Sequence, residues 1–214
     1  MNIPDRIDRR EAVRYMGGAG VMMNADMERL MDGCEQELLR VMQPKYLYQI
    51  VALPQEALLV GGDIRRHLKG CRQAVLFCAT LGAAVDRLLR VAQVRDMARA
   101  VVLDSMASVA IEQVCRRADE SIAAQLPGRF LTFRYSPGYG DYPIELQKTF
   151  LRLLDAPRKI GLTVSDSCLL VPAKSVTAIA GISDVPVERQ RRGCAVCNLR
   201  DTCQYRKNGD HCGF

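Results

Sequence analysis

The stretch Gln73–Thr80 constrains the fold more than any other part of the chain. It reads Q-A-V-L-F-C-A-T, a near-continuous apolar run, and its length and composition predict a buried strand. Leu81-Gly82 leads out of it into a helix over Ala83–Val94. A long helical stretch then runs from Asp96 to Gln125, where Pro127-Gly128 follows as a stop. Its many alanines and valines predict close packing against neighbouring elements.

The flanking sequence fills in the rest. Asp8 and Glu11 form a capping-box pattern that predicts a helix over Arg9–Met16, with Gly17-Gly18 as its stop. Asn24 caps a second helical pattern, with Met27, Leu30, Met31, Cys34, Leu38 and Met42 roughly on one face, ending before Pro44. Tyr46–Leu53 and Leu58–Val60 read as strands, and Asp63 as the cap of a helical turn with His67 and Leu68. Phe130–Tyr135 reads as a strand, followed by the loop S-P-G-Y-G-D-Y-P and a helix over Ile144–Leu154. Lys159–Val164, Leu169–Val171 and Ser175–Gly181 read as short strands. Helices mixed with separate strand runs give an α+β fold with an antiparallel-rich sheet in one domain, residues 1–185. Residues 186–214 form a short metal-binding tail, because apolar periodicity gives way to charge around Ser183–Gly193.

The 214 residues are 49% hydrophobic and 25% charged, the balance of a folded globular chain. The net charge is +6, and half of it falls in residues 188–214. This suits either a solvated basic surface or an anionic partner. The N-terminus has no apolar segment of the secretory kind, and the longest apolar run, Ala74–Val85, is too short to span a bilayer. The expected location is the cytoplasm, where nine cysteines read as thiols and metal ligands rather than disulfides.

Four of those cysteines, Cys194, Cys197, Cys203 and Cys212, follow the pattern C-x2-C-x5-C-x8-C. The surrounding tail has too little apolar material to fold unaided. A C-x2-C turn brings two thiolates to one metal or cluster. A second short knuckle, usual in zinc sites, is missing. The spacing therefore favours a 4Fe-4S cluster, with structural zinc and free redox-sensing thiols as the other readings. His211, beside Cys212, reads as exposed. Cys34, Cys71, Cys78, Cys115 and Cys168 lie in apolar surroundings and read as small core residues.

The second concentration of chemistry is R-Y-S-P-G-Y-G-D-Y-P, Arg134 to Pro143. An arginine at a strand end can hold a carboxylate through two parallel hydrogen bonds. Gly138 and Gly140 let the backbone approach a ligand, and Tyr139 and Tyr142 can offer a hydroxyl and a flat face. The same residues also suit an ordinary turn.

Three segments carry a family resemblance: R-x-x-x-G-Y at Arg134, Gly138 and Tyr139; A-T-L-G at Ala79–Gly82; and L-T-V-S-D-S-C-L-L-V-P-A-K-S-V at Leu162–Val176. With these, the chain resembles the activation (reactivation) domain of cobalamin-dependent methionine synthase and its free-standing relatives in corrinoid metabolism. The resemblance implies reductive reactivation of a corrinoid oxidised to Co(II), with one electron delivered and a methyl group supplied by S-adenosylmethionine. It implies that Arg134 holds the methionine carboxylate and that Pro137 and Gly138 line the groove. Tyr139 would approach the corrin or the sulfonium. The implied partner is a corrinoid protein or a cobalamin-dependent methionine synthase, whose cobalamin is acted upon, with an electron donor such as ferredoxin or flavodoxin. The cysteine tail is not part of the fused methionine synthase domain. It would supply an electron relay of its own, or, in a second reading, a structural zinc staple on a non-catalytic corrinoid-protein binding module.

Other classes find little support. No reading helix or strand aromatics accompany the basic residues, so nucleic acid is not an expected partner, and neither is a membrane. The chain has two histidines, and no H-E-x-x-H, G-x-S-x-G or Walker A sequence.

Overall fold

The computed structural model describes residues 4–17, 23–187 and Lys207. Strand β2, Gln73–Thr80, lies inside a four-stranded antiparallel sheet of order β1-β2-β6-β3, formed with Lys45–Ala52 (β1), Ser175–Ser183 (β6) and Phe130–Leu131 (β3). Successive strand side chains point to opposite faces, so a strand without a polar face needs cover on both sides. Val75, Phe77 and Ala79 enter one buried cluster, and Ala74, Leu76 and Cys78 another.

The first cluster is covered by helices Arg9–Tyr15 (α1), Ala25–Val41 (α2), Ala83–Arg95 (α4) and Met97–Ala124 (α5). The α5 helix is about 42 Å long at the usual rise and packs against α1, α2 and α4. Ala100, Ser105, Ala107, Ala110 and Ala118 are buried along it, which is the close packing that its small residues predict. The second cluster is covered by Gly62–His67 (α3), Leu146–Leu154 (α6), Ala156–Ile160 (α7) and the turn around Leu58, beside the hairpin of Thr163–Val164 (β4) and Leu170–Val171 (β5). The result is an α+β fold in three layers, with antiparallel pairing throughout.

Two caps behave as the sequence predicts: Asp8 accepts from the Glu11 amide and Asn24 from the Met27 amide, whereas Asp63 lies inside the first turn of α3, whose cap position is Gly61. Three strand expectations need correction. Leu58–Val60 is a turn in which the Leu58 and Leu59 amides donate to the Gln55 carbonyl at 2.9 and 3.1 Å. Lys159–Val164 begins as the end of α7, and only Thr163–Val164 pairs as strand. Phe130–Tyr135 pairs at Phe130–Leu131 and again at Tyr135, opposite Ile179. Between them the Thr132 amide donates to the Gly181 carbonyl at 2.9 Å, but the Gly181 amide donates in return to the Thr132 hydroxyl at 2.7 Å, which also meets His67 Nε2 at 2.9 Å, so a side chain replaces one bond of the ladder.

Candidate functional site

The segment after β3 divides its side chains between the two layers. Arg134 turns toward α5. Its NH2 nitrogen pairs with Glu112 at 2.9 Å and its Nε lies 3.5 Å from Asp119, while the guanidinium carbon stands 6.0 Å from the Phe77 ring centre. The side chain keeps 18% of its surface in solvent. Glu112 and Asp119 are seven residues apart, two helical turns, so one face of α5 presents both carboxylates to the arginine. Phe133 and Tyr135 turn the other way, onto His67, with ring centres 4.3 and 5.2 Å from the imidazole.

Beyond Tyr135 the loop is fastened to the start of α3. The Asp141 carboxylate accepts from the Gly62 amide at 2.6 Å and the Asp63 amide at 3.0 Å. Those two bonds hold the Asp141 carboxyl below the usual carboxylate range. Asp63 in return accepts from the Asp141 amide and pairs with Arg66. Gly140 sits at φ 53°, and a Cβ there would collide with the Asp63 carboxylate and meet the Tyr135 hydroxyl at 2.8 Å. Its missing side chain therefore serves contact within the protein, where the sequence suggests approach to a ligand. Tyr142 corrects a second expectation. It is buried, its hydroxyl donates to the Leu58 carbonyl at 3.1 Å, and burial pushes its phenol up. It anchors the loop and presents nothing to solvent.

Tyr139 is the exposed aromatic of this loop, with 67% of its surface in solvent, and Pro137, two residues before it, is buried. Gly138 adopts φ 95° and donates to the Tyr142 carbonyl at 2.8 Å, which sets the turn that lifts Tyr139 outward. Tyr15, at the end of α1, is 48% exposed. Burial raises its phenol, and the charges of Glu112, Glu11 and Tyr139 add to this against Arg14. The structure joins Arg134 to two residues the sequence did not single out, Glu112 and Asp119, while Tyr139 lies against Tyr135 with ring centres 6.5 Å apart. The spacing of the two acids on one helix face was the available signal.

The body cysteines are free thiols. Cys34, Cys78, Cys115 and Cys168 are buried as expected, whereas Cys71 is half-buried. Burial pushes the Cys34 thiol up to about 11 and that of Cys78 up to about 12, so both stay protonated near neutral pH. Among the described residues no cluster of His, Cys, Asp and Glu is arranged to hold a metal ion. Cys194, Cys197, Cys203, His211 and Cys212 lie outside the described residues. No helix among the described residues is long and apolar enough to cross a membrane.

No protein-family model matches the chain, and no curated protein matches it. Among solved structures it is similar to the MetH reactivation domain bound to AdoHcy. The match has a TM-score of 0.60 at 13% identity, over 96% of this chain and 82% of that one. At that identity the likeness is one of fold.

Proposed function

We propose that this protein reactivates a corrinoid oxidised to Co(II) in a separate cobalamin-dependent methyltransferase of the methionine synthase kind. S-adenosylmethionine would bind against Arg134, Pro137, Gly138 and Tyr139 and act as methyl donor. The observation that carries this reading is a coincidence: the chain has the fold of a reactivation domain that binds AdoHcy, and its R-x-x-x-G-Y sequence joins an arginine paired with Glu112 to the exposed Tyr139. AdoHcy is what S-adenosylmethionine becomes when its methyl group leaves.

The electrostatics favour a zwitterion over a simple anion. Arg134 is flanked by two carboxylates, so a bare anion would meet Glu112 and Asp119 as well as the guanidinium. An amino-acid end brings a carboxylate for Arg134 and an ammonium for the acids. Tyr139, on a turn fixed by Gly138 and anchored by Asp141 and Tyr142, would meet the incoming corrinoid face. Its role is orientation and exclusion of water; the bond-making chemistry belongs to cobalt and sulfonium.

The tail's four thiolates, soft and anionic, have the donor chemistry of a 4Fe-4S cluster. Such a cluster would supply a low-potential electron for the reactivation, refilled by a ferredoxin- or flavodoxin-type donor. Protein purified without oxygen would then be brown, with a broad absorbance near ~400 nm that bleaches on reduction. Colourless protein with one zinc per chain would remove the relay and favour the binding-module reading.

The activity itself is tested with a methionine synthase whose own reactivation domain has been deleted, poised as Co(II). With S-adenosylmethionine and a one-electron reductant, this protein is expected to accelerate the appearance of the methyl-cobalt spectrum. No acceleration under those conditions overturns the proposal.

A further inference from the structure

The two edges of the sheet are unlike. At one, β3 is two residues long and is followed by a single backbone bond from Thr132 to Gly181 and the bridge at Tyr135. At the other, β1 runs for eight residues in unbroken register with β2, between Pro44 and Pro54. Natural sheets blunt exposed edges with short strands, bulges, prolines or charges. The β1 edge has no bulge and no internal proline, and its one charge is Lys45 at the end.

The ladder shows which backbone groups face outward. The Leu53 amide donates to Arg72, and the Leu81 amide to Lys174 on the far side of β2. Bonded pairs alternate in an antiparallel ladder. Lys45, Leu47, Gln49 and Val51 therefore bond to β2, while Tyr46, Tyr48, Ile50 and Ala52 turn N–H and C=O away from it. Among the described residues none of these four makes a backbone hydrogen bond on that outer side. Ile50 is 39% exposed, and Gln49 and Ala52 are exposed.

We propose that β1 pairs with β1 of a second copy of this chain, antiparallel about a two-fold axis at Gln49. The parity of the ladder permits this register, and the side chains are self-complementary in it. Tyr48 lies opposite the partner strand's Ile50, and Tyr46 opposite its Ala52, so the outward groups bond pairwise. That makes about eight backbone hydrogen bonds across the axis. The Tyr48–Ile50 pairing is an aromatic beside a β-branched residue, and it occurs twice. On the other face Leu47 meets Val51. The two Gln49 side chains meet on the axis, where each amide can both donate and accept. The two Lys45 residues stand about 26 Å apart at the usual strand rise, well beyond the screening length. No like charges meet, which is what recommends a second copy over a charged partner strand.

Sedimentation velocity on the full chain from roughly 1 to 200 µM tests this. The wild type is expected to shift from monomer to dimer. Gln49→Lys and Gln49→Glu each place like charges on the axis and are expected to weaken dimerisation at least tenfold. An equimolar mixture of the two is expected to restore it. A wild type that stays monomeric overturns the proposal, as does a dimer that neither variant disturbs. If both variants dissociate and mixing brings no recovery, the two-fold register at Gln49 is wrong.

Discussion

Tyr139 and Tyr142 stand three residues apart in one loop. The first keeps 67% of its surface in solvent, and the second keeps 1% and donates its hydroxyl to Leu58. The difference comes from their neighbours. Asp141 is bound to the start of α3, Gly140 fits against Asp63 only because it lacks a side chain, and Tyr142 follows them into the core. Tyr139 precedes that anchor, on a turn set by Gly138. A loop can hold an exposed ring in a defined place only if its other half is tied down. The lesson is that the tight half of the motif positions and the loose half presents.

That division can be broken at several points, beginning with the largest effect. Tyr142→Ala removes a buried aromatic and is expected to cost about 3–5 kcal/mol of unfolding free energy in denaturant titrations. Tyr142→Phe, which loses only the hydroxyl bond, is expected to cost about 1 kcal/mol. Gly140→Ala forces a side chain into left-handed backbone against Asp63 and Tyr135, at an expected cost of about 1–3 kcal/mol. It should also release Tyr139, read as faster proteolysis at the loop. Tyr139→Ala is expected to change stability by no more than about 0.5 kcal/mol while reducing reactivation of the corrinoid partner. A Tyr139→Ala as destabilising as Tyr142→Ala would erase the distinction between the two halves.

His67 gives a pH test of the anchored side. Burial among Thr132, Phe133 and Tyr135 lowers its pKa below the ordinary 6.5, against a smaller opposing hydrogen bond to the Phe133 backbone. The unfolded chain then binds a proton that the folded one refuses. Its contribution to stability is complete above pH 6.5 and is lost as pH falls toward the lowered folded value. Thermal midpoints should decline over that window, and His67→Phe should flatten the decline.

The sequence was most informative where one local pattern decided the outcome. β2 was legible because its apolar run is too short for a buried helix, holds Val, Phe and Thr, and ends before Gly82, and α1 and α2 because Asp8 and Asn24 supply the first-turn acceptors. Leu58–Val60 was not legible: three apolar residues suit a buried turn as well as a strand, and Pro54 to Glu56 settle the matter only through their place in the fold. The loop showed Arg134 and Tyr139 but not their roles relative to Tyr142, since exposure depends on Leu58, 84 residues away. Glu112 and Asp119 reach Arg134 from a helix distant in the chain, which spacing within the motif cannot reveal.

The central claim is that Arg134 and its loop bind the amino-acid end of S-adenosylmethionine. Calorimetric titration of the purified chain with AdoHcy and with S-adenosylmethionine tests it most directly. The account predicts saturable binding of both, weakened by about 2–4 kcal/mol in Arg134→Ala, as when one partner of a desolvated charge pair is removed. Binding that survives Arg134→Ala unchanged, in a variant whose circular dichroism matches the wild type, would contradict it.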